Sequence, residues 1–253
     1  MPKAVQTAAP ETFDGLFGGR VKIWQSRSGY RVSIDALLLA DFVSPRGGER
    51  VVELGTGNGV VCLALALWHR AITLTGVEIQ AAVAERARRN VALNALADRI
   101  RIVEGDVRTP KRWAAAESFD VALCNPPYRR AGSGRISGDN ERRIARHETS
   151  GGLREFVAAA AFLLRNKGRW ACIYPAERTA DVLCLMRNSR IEPKRLRMVH
   201  SFLQSPACLV LVEGVKHGRS GLVVQEPLAI YREGKKYSQE AAAIIAGEGV
   251  RGG

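Results

Sequence analysis

What this 253-residue chain lacks narrows its class first. No apolar run approaches the ~20 residues that a membrane-spanning helix needs, so no membrane partner is expected. Residues 1–20 hold no apolar stretch of the kind a secretory signal carries, which points to the cytoplasm. There is no C-x-x-C pair. The five cysteines (Cys62, Cys124, Cys172, Cys184 and Cys208) are odd in number and widely spaced. Neither a disulfide framework nor a structural metal is therefore expected, and most of these thiols sit where cysteine acts as a small hydrophobe. No repeat of 20–50 residues and no low-complexity tract interrupts the chain. Acidic residues are in short supply: 25 Asp+Glu face 38 Lys+Arg, a net charge of +13. An excess of that size points to a polyanionic partner, or to an anionic ligand. What is present is otherwise ordinary. A hydrophobic fraction of 46% and a charged fraction of 25% describe a globular chain able to bury a core, not a disordered one. The length fits one full domain, alone or with a small appendage.

The pattern along the chain predicts alternating strands and helices. The first dozen residues are Ala/Pro/Thr-rich and expected to fray. Arg20–Gln25 and Tyr30–Ser33 flank Ser26-Arg27-Ser28-Gly29, which reads as a short hairpin. Ile34–Val43 is apolar around most of its circumference and predicts a buried helix, ended by Pro45 and Gly47-Gly48. Strands are predicted at Arg50–Leu54, Ala71–Val77, Ile100–Glu104, Phe119–Cys124, Gly168–Tyr174, Leu196–His200, Ala207–Val212 and Leu228–Tyr231. Helices are predicted at Gly59–His69, Ala81–Ala95, Leu153–Leu164, Ala176–Asn188 and from Ser238 to Ala246. Such alternation builds an α/β fold with a mostly parallel sheet covered on both faces, and the two closely spaced late strands add an antiparallel hairpin at one edge. Residues 126–152 break the rhythm: the stretch is long, Gly/Arg-rich and weakly periodic, as functional insertions are.

Four strand ends carry candidate chemistry. The first strand runs into Glu53-Leu54-Gly55-Thr56-Gly57-Asn58-Gly59 and then a helix. Glycines permit a tight turn and close backbone approach to a ligand, and open α/β sheets bind ligands at such carboxyl ends. The spacing G-x-G-x-G is one residue short of the dinucleotide fingerprint, which disfavours a dehydrogenase. Glu78 ends the next strand, where a carboxylate can accept two ribose hydroxyls. Asp106, in Gly105-Asp106-Val107, follows the third strand and can accept from an exocyclic amine. The fourth end is Asn125-Pro126-Pro127-Tyr128. The prolines remove two N–H donors and leave acceptors, the Asn125 amide oxygen and the Pro126 carbonyl, beside an aromatic face. That set suits a planar amine stacked on Tyr128.

Together these residues resemble class I S-adenosylmethionine-dependent methyltransferases that methylate amino nitrogen through an [DNS]PP[YFW] motif, from about residue 48 to 215. The resemblance implies a Rossmann-like seven-stranded sheet. It places Glu53, Gly55, Thr56, Gly57 and Gly59 under the methionine part of S-adenosyl-L-methionine, Glu78 and Ile79 at the ribose, and Asp106 and Val107 at the adenine. Asn125, Pro126, Pro127 and Tyr128 hold the target nitrogen, Asn125 also bordering the cofactor. A closer resemblance, to the bacterial tRNA1(Val) adenine-37 N6-methyltransferase family, rests on four features in family order. They are Phe13-Asp14-Gly15-Leu16-Phe17 with Gln25 and Gly29–Phe42, the glycine turn, the Asn-Pro-Pro-Tyr run, and Arg129–Arg135 followed by Ala145-Arg146-His147-Glu148. It implies an N-terminal leader, residues 1–47, packed on a methyltransferase domain, residues 48–253. The implied reaction is in-line displacement at the sulfonium methyl carbon. Acceptors on both amine hydrogens would localise a lone pair otherwise shared with the ring. No strong general base is needed, so His147 is expected to order a loop, contact phosphate or pack. Asp35 and Gln25 either close over the cofactor or serve packing.

The implied partner is tRNA, with an exposed anticodon-loop adenine as the target, because a stacked base is out of reach. Two basic clusters could meet phosphate, or be solvated faces half-neutralised by Asp139, Glu141 and Glu148 in the first and by Glu192 in the second. One is Arg129, Arg130, Arg135, Arg142, Arg143 and Arg146, beside His147. The other is Arg187, Arg190, Lys194, Arg195 and Arg197. Guanine N2 in rRNA, a release-factor glutamine, or adenine in DNA would use similar acceptor chemistry. Only about 50 residues precede the glycine turn, and no ~100-residue recognition segment is evident. A non-catalytic basic RNA-binding protein on the same fold is the reading of another class, against which the intact Asn-Pro-Pro-Tyr and three acidic strand ends argue.

Overall fold

The computed structural model describes residues 11–27, 31–127 and 152–248. The chain opens with a hairpin of β1 (Glu11–Leu16) and β2 (Val21–Ser26), paired antiparallel from Glu11↔Ser26 to Leu16↔Val21. This corrects two expectations. Glu11 and Thr12 belong to a strand and not to a frayed head, and the reversal falls at Phe17–Arg20 instead of Ser26–Gly29. The reason is backbone freedom: Phe17, Gly18 and Gly19 all have positive φ (54°, 66° and 84°), and two consecutive glycines supply that region without a Cβ penalty. Residues 31–33 are lead-in to a helix, not a partner strand.

That helix, α1 (Ile34–Phe42), is buried along most of its length, as apolar residues around most of its circumference predict. A regular βα alternation follows: β3 (Arg50–Leu54), α2 (Val60–Trp68), β4 (Thr73–Glu78), α3 (Ala81–Leu93), β5 (Ile100–Glu104) and β6 (Phe119–Cys124). Beyond it lie α4 (Leu153–Leu163), β7 (Leu164–Pro175), α5 (Thr179–Asn188), β8 (Ile191–His200) and β9 (Ala207–Lys216). Short strands β10 (Val223–Val224) and β11 (Leu228–Ala229), the hairpin β12 (Tyr231–Glu233) with β13 (Lys236–Tyr237), and α6 (Gln239–Ala246) complete the described chain.

The main sheet runs β10-β8-β9-β7-β6-β3-β4-β5, with β11 also on β8. Its seven long strands are those expected, extended by two two-residue strands on the far side of β8. Only β9 runs antiparallel to its neighbours, β7 and β8. Strand residues alternate between two apolar layers: Val51, Val121, Leu123 and Ile173 join one, Val52, Ala122, Cys124 and Cys172 the other. Both faces are therefore buried, as a parallel sheet requires. The first layer contains α1, α2 and the hairpin residues Phe17, Val21 and Ile23, so the leader shares a core with the strands. The second contains α4 and α5.

From β3 the chain first builds outward to β4 and β5, then crosses back to build β6 and β7 on the other side. The crevice between the carboxyl ends of β3 and β6 is thus the topological switch point, where open α/β sheets take their ligands. Register makes the placement specific. Leu54 pairs with Cys124 and with Val77, and Glu78 pairs with Glu104. Gly55 and Asn125 therefore leave adjacent strands at one level, with Glu78 on the next strand and Gly105 one further.

Candidate active site

The turn after β3 is built on three glycines, Gly55, Gly57 and Gly59, with φ of 75°, 55° and 81°. Side chains rarely adopt these angles, so the residue type follows from the path. A Cβ on Gly55 would also stand 3.2 Å from Phe156 of α4. The amides of Gly55 and Thr56 both donate to the Val77 carbonyl (2.8 and 2.9 Å), tying the turn to β4. Gly55 and Gly57 reach the surface, whereas Glu53, Thr56 and Asn58 are buried. The turn accordingly presents backbone outward and keeps side chains beneath.

Beneath it, Glu53 is 3% exposed. Its Oε2 accepts from the Thr56 hydroxyl (2.6 Å) and the Cys62 thiol (3.1 Å). Burial pushes its pKa up to about 7 against those hydrogen bonds, and pushes the Cys62 thiol well above its ordinary value. Glu53 and Thr56 form a brace under the turn. Cys62, read in sequence as a small hydrophobe, is the third member of that brace.

Glu78 lies beside the turn: Oε2 accepts from the Gly57 amide (3.1 Å) and Oε1 from the Gln80 amide (3.0 Å). Burial raises its pKa, opposed by these amides and that of Ile79. Asp106 is gripped by Arg108, whose Nε and Nη2 donate to the carboxylate at 2.7–3.0 Å and whose backbone amide donates at 2.8 Å. Those bonds hold the Asp106 carboxyl below its usual range. Its carbonyl accepts from Trp113 Nε1 (3.0 Å), and the same indole packs so closely on Gly105 that a Cβ there would clash at 2.9 Å. Val107 is buried and borders a cavity of about 530 Å³ between the 107–112 segment and α4, lined also by Arg108, Lys111, Arg112, Ala159 and Phe162. That cavity flanks the strand ends and does not include them.

Asn125 is half-buried at the end of β6, followed by Pro126 and Pro127. Tyr128 and the loop candidates Arg129, Arg130, Arg135, Arg146 and His147 lie outside the described residues, as do Arg142 and Arg143. The structure thus brings Gly55–Gly59, Glu78, Asp106 and Asn125 to one end of the sheet.

Sequence reading missed the groups that hold this end together. Asn90, fully buried on α3, accepts from the Trp24 amide (2.7 Å) and donates to the carbonyls of Trp24 (3.1 Å) and Asn58 (3.0 Å). One amide thus joins the leader hairpin, the glycine turn and α3. A polar residue among Ala84, Ala87 and Val91 on the buried face of α3 was the available signal. On the outer face, Arg86 and Arg89 grip Glu11 of the hairpin (2.7 Å each). In the leader, both ends of the Gln25 amide are taken, by the Val32 amide and by Asp14, so Gln25 has a packing role; Asp35 is buried at the start of α1.

Much of the second basic cluster is committed to partners within the chain. Arg195 donates to the Phe42 carbonyl, lies 4.1 Å over the Phe42 ring and faces Glu213. Arg197 forks onto Glu240 (2.6 and 2.8 Å), Lys194 reaches the carbonyls of Arg219 and Ser220, and Arg187 pairs with Glu192. Arg187 and Arg190 also sit at the amino end of β8, opposite the Asn125 end. Lys194, Arg195 and Arg197 are internal ties, which a charge count along the chain does not reveal. Among the described residues, no group of three or more His, Cys, Asp or Glu side chains is placed to hold a metal, and no helix is long and apolar enough to cross a membrane.

A doubly wound sheet with a glycine turn and an acceptor-rich strand end at its switch point defines a class I methyltransferase domain. The comparisons agree. Residues 28–187 match the family model described as methyltransferase small domain. A Porphyromonas gingivalis protein named tRNA1(Val) (adenine(37)-N6)-methyltransferase is 31% identical over 188 residues, 72% of this chain and 73% of that one. A Tolumonas auensis protein of the same name is 27% identical over 229 residues, covering 87% and 90%. Among solved structures, a predicted O-methyltransferase from Agrobacterium tumefaciens superimposes with a TM-score of 0.70 at 23% identity over 85% of this chain and 97% of that one. A Streptomyces coelicolor geranyl diphosphate C-methyltransferase, solved with S-adenosyl-L-homocysteine, gives 0.51 at 13%, covering 72% and 78%. This chain belongs to the tRNA1(Val) (adenine(37)-N6)-methyltransferase family, within the methyltransferase small-domain proteins.

Proposed function

We propose that this protein transfers a methyl group from S-adenosyl-L-methionine to the N6 amine of adenine 37 in valine tRNA, with residues 1–47 as a leader packed on a methyltransferase domain, residues 48–253. The observation that carries the reading is the register Leu54↔Cys124, which sets Asn125 beside the glycine turn at the switch point. The names of the relatives supply the nucleic acid and the position.

The residues present fit the cofactor. Gly55 and Gly57 offer outward backbone for the methionine part, in a turn that Thr56 and Gly59 complete and Glu53 braces from below. Glu78, beside Ile79, offers a carboxylate to two ribose hydroxyls. Asp106 and Val107 border the adenine, in competition with Arg108 for the Asp106 carboxylate. When bound, S-adenosyl-L-methionine supplies an electrophilic methyl carbon on sulfur.

The chain's own groups do the rest. The Asn125 amide oxygen and the Pro126 carbonyl accept the two hydrogens of the target amine. Those bonds favour the tetrahedral nitrogen of the transition state over the flat one of the free base. The prolines withhold N–H donors that would compete for the same lone pair. Holding both reactants on adjacent strand ends removes the entropy of their encounter. Tyr128 provides the stacking face, and Arg129, Arg130, Arg135, Arg146 and His147 belong to the substrate loop.

The test is incubation with labelled S-adenosyl-L-methionine and unmodified tRNA, followed by nucleoside digestion. N6-methyladenosine from position 37 of valine tRNA supports the proposal. Label in guanine N2 of rRNA, in a release-factor glutamine, or nowhere overturns it.

A further inference from the structure

Above the carboxyl end of β8 stands a feature that the methyl-transfer site does not use. Phe202, Tyr231 and Tyr237 form a ladder of three rings: Phe202 to Tyr231 is 5.7 Å between centroids, and Tyr231 to Tyr237 is 5.3 Å with planes only 20° apart. The hairpin of β12 and β13 carries the last two rings. It is pinned to the end of β8 by the Ile230 amide on the His200 carbonyl and the Tyr231 amide on the Ser201 carbonyl, both 2.8 Å. Tyr237 ends the ladder with one face on Tyr231 and is 43% exposed. Leu203, in the neighbouring loop, is 56% exposed. The same short hairpin presents Arg232, Lys235 and Lys236, all exposed and without an ion pair among the described residues.

Its place relative to Asn125 follows from register. Cys124 is level with Cys172, Val212 and Leu196 across β6, β7, β9 and β8. The end of β8 at His200 is three strands to the side and four residues higher, roughly 20 Å from the end of β6 at strand spacings and rises of about 4.8 and 3.3 Å. The ladder therefore forms a raised rim on the same face of the molecule as the reacting end, within the width of one RNA double helix.

We propose that this aromatic and basic rim docks the tRNA substrate: an unpaired base a few nucleotides from the target stacks on Tyr237, and Lys235, Lys236 and Arg232 meet the adjoining phosphates. The proposal rests on the tRNA reading above and adds where the RNA is gripped. An exposed ring with cations beside it is the combination that single-stranded nucleic acid uses, since every base has a face to stack and every linkage a charge. The cations also exclude a purely apolar occupant. With Lys194, Arg195 and Arg197 tied up internally and Arg187 and Arg190 at the opposite end, this rim supplies described basic charge at the working end of the sheet.

The experiment compares wild type, Tyr237→Ala, Tyr237→Phe and the double variant Lys235→Ala/Lys236→Ala. Binding to unmodified valine-tRNA transcript is measured at several salt concentrations, alongside methyl-transfer kinetics. Tyr237→Ala is expected to weaken tRNA binding and raise KM for tRNA about tenfold, with kcat within twofold and Tyr237→Phe near wild type. The lysine variant is expected to lower the slope of log affinity against log salt by about 1.5. Wild-type binding, KM and slope in both the alanine and the lysine variant overturn the rim while leaving the tRNA reading intact. A wild-type protein that neither binds nor methylates tRNA overturns both.

Discussion

Replacing Asn90 by alanine should loosen the leader and the glycine turn together. The side chain is fully buried and makes three hydrogen bonds, one accepted from the Trp24 amide and two donated, to the Trp24 and Asn58 carbonyls. Alanine strands three backbone groups in a site with little room for water. A buried polar group left unpaired costs about 1–3 kcal/mol. Partial relaxation of the hairpin toward solvent recovers some of this, so the net loss should be about 3–4 kcal/mol. Asn94→Ala is the matched control. Asn94 bonds both backbone groups of Lys22 in the same way, but at the exposed end of the hairpin, where water replaces it. It should cost less than about 1 kcal/mol. Urea denaturation of wild type and both variants reads the difference, and S-adenosyl-L-methionine affinity reads the effect on the turn, expected to fall several-fold for Asn90→Ala alone. Equal midpoints for the two variants, or an Asn90→Ala protein within about 0.5 kcal/mol of wild type, would refute the reasoning.

Further perturbations address the site itself. Asn125→Ala should lower methyl transfer to tRNA by about 100-fold or more, while calorimetry shows S-adenosyl-L-methionine affinity nearly unchanged; equal loss of both would remove Asn125 from its role at the amine. Glu53 titrates near pH 7 in the fold, against 4.5 ordinarily. Its folded-state pKa is raised, so its contribution to stability is full below pH 4.5 and lost as pH rises to about 7, a difference of about 3 kcal/mol. Glu53→Gln keeps an acceptor for Thr56 and Cys62 and should flatten the stability profile between pH 4.5 and about 7; a variant with the wild-type profile would assign the slope elsewhere. Gly59→Ala places its Cβ at an ordinary 3.5 Å from Ala87, so its cost is that of a left-handed alanine, about 1 kcal/mol by thermal unfolding. A loss of several kcal/mol would point to crowding instead.

The strands, the helices and the switch point were legible because each rests on local pattern: apolar runs of strand length, glycine turns, and caps such as Ser238, whose hydroxyl accepts from the Ala241 amide. The hairpin was misplaced because two segments, Phe17–Arg20 and Ser26–Gly29, both carry turn residues, and the choice depends on packing of Phe17, Val21 and Ile23 against α1 and α2. β10 is two residues long and exists through pairing with β8, so no periodicity announces it, whereas β11 falls within the strand expected at Leu228–Tyr231. The acidic strand ends and Asn125 stood out by residue type and position. Trp113 under Gly105 and Phe156 against Gly55 did not, since each is a single contact between distant segments. The late basic cluster misled for a related reason: its partners Phe42, Glu213 and Glu240 are remote in sequence.

The Asn90 junction also sets a timetable for the newborn chain. Trp24 leaves the ribosome 66 residues before its partner on α3. At about 5–20 residues per second, the Trp24 backbone groups wait roughly 3–13 s for the Asn90 amide. Its hairpin closes locally within microseconds, and Phe17, Val21 and Ile23 can begin to pack on α1 and α2 as these emerge, but the bonds that fix the Trp24 backbone wait for α3. Until then the hairpin is less firmly held than in the finished fold and more open to chaperones and to aggregation. Synthesis slowed between residues 30 and 90 should lengthen that window and lower the soluble yield.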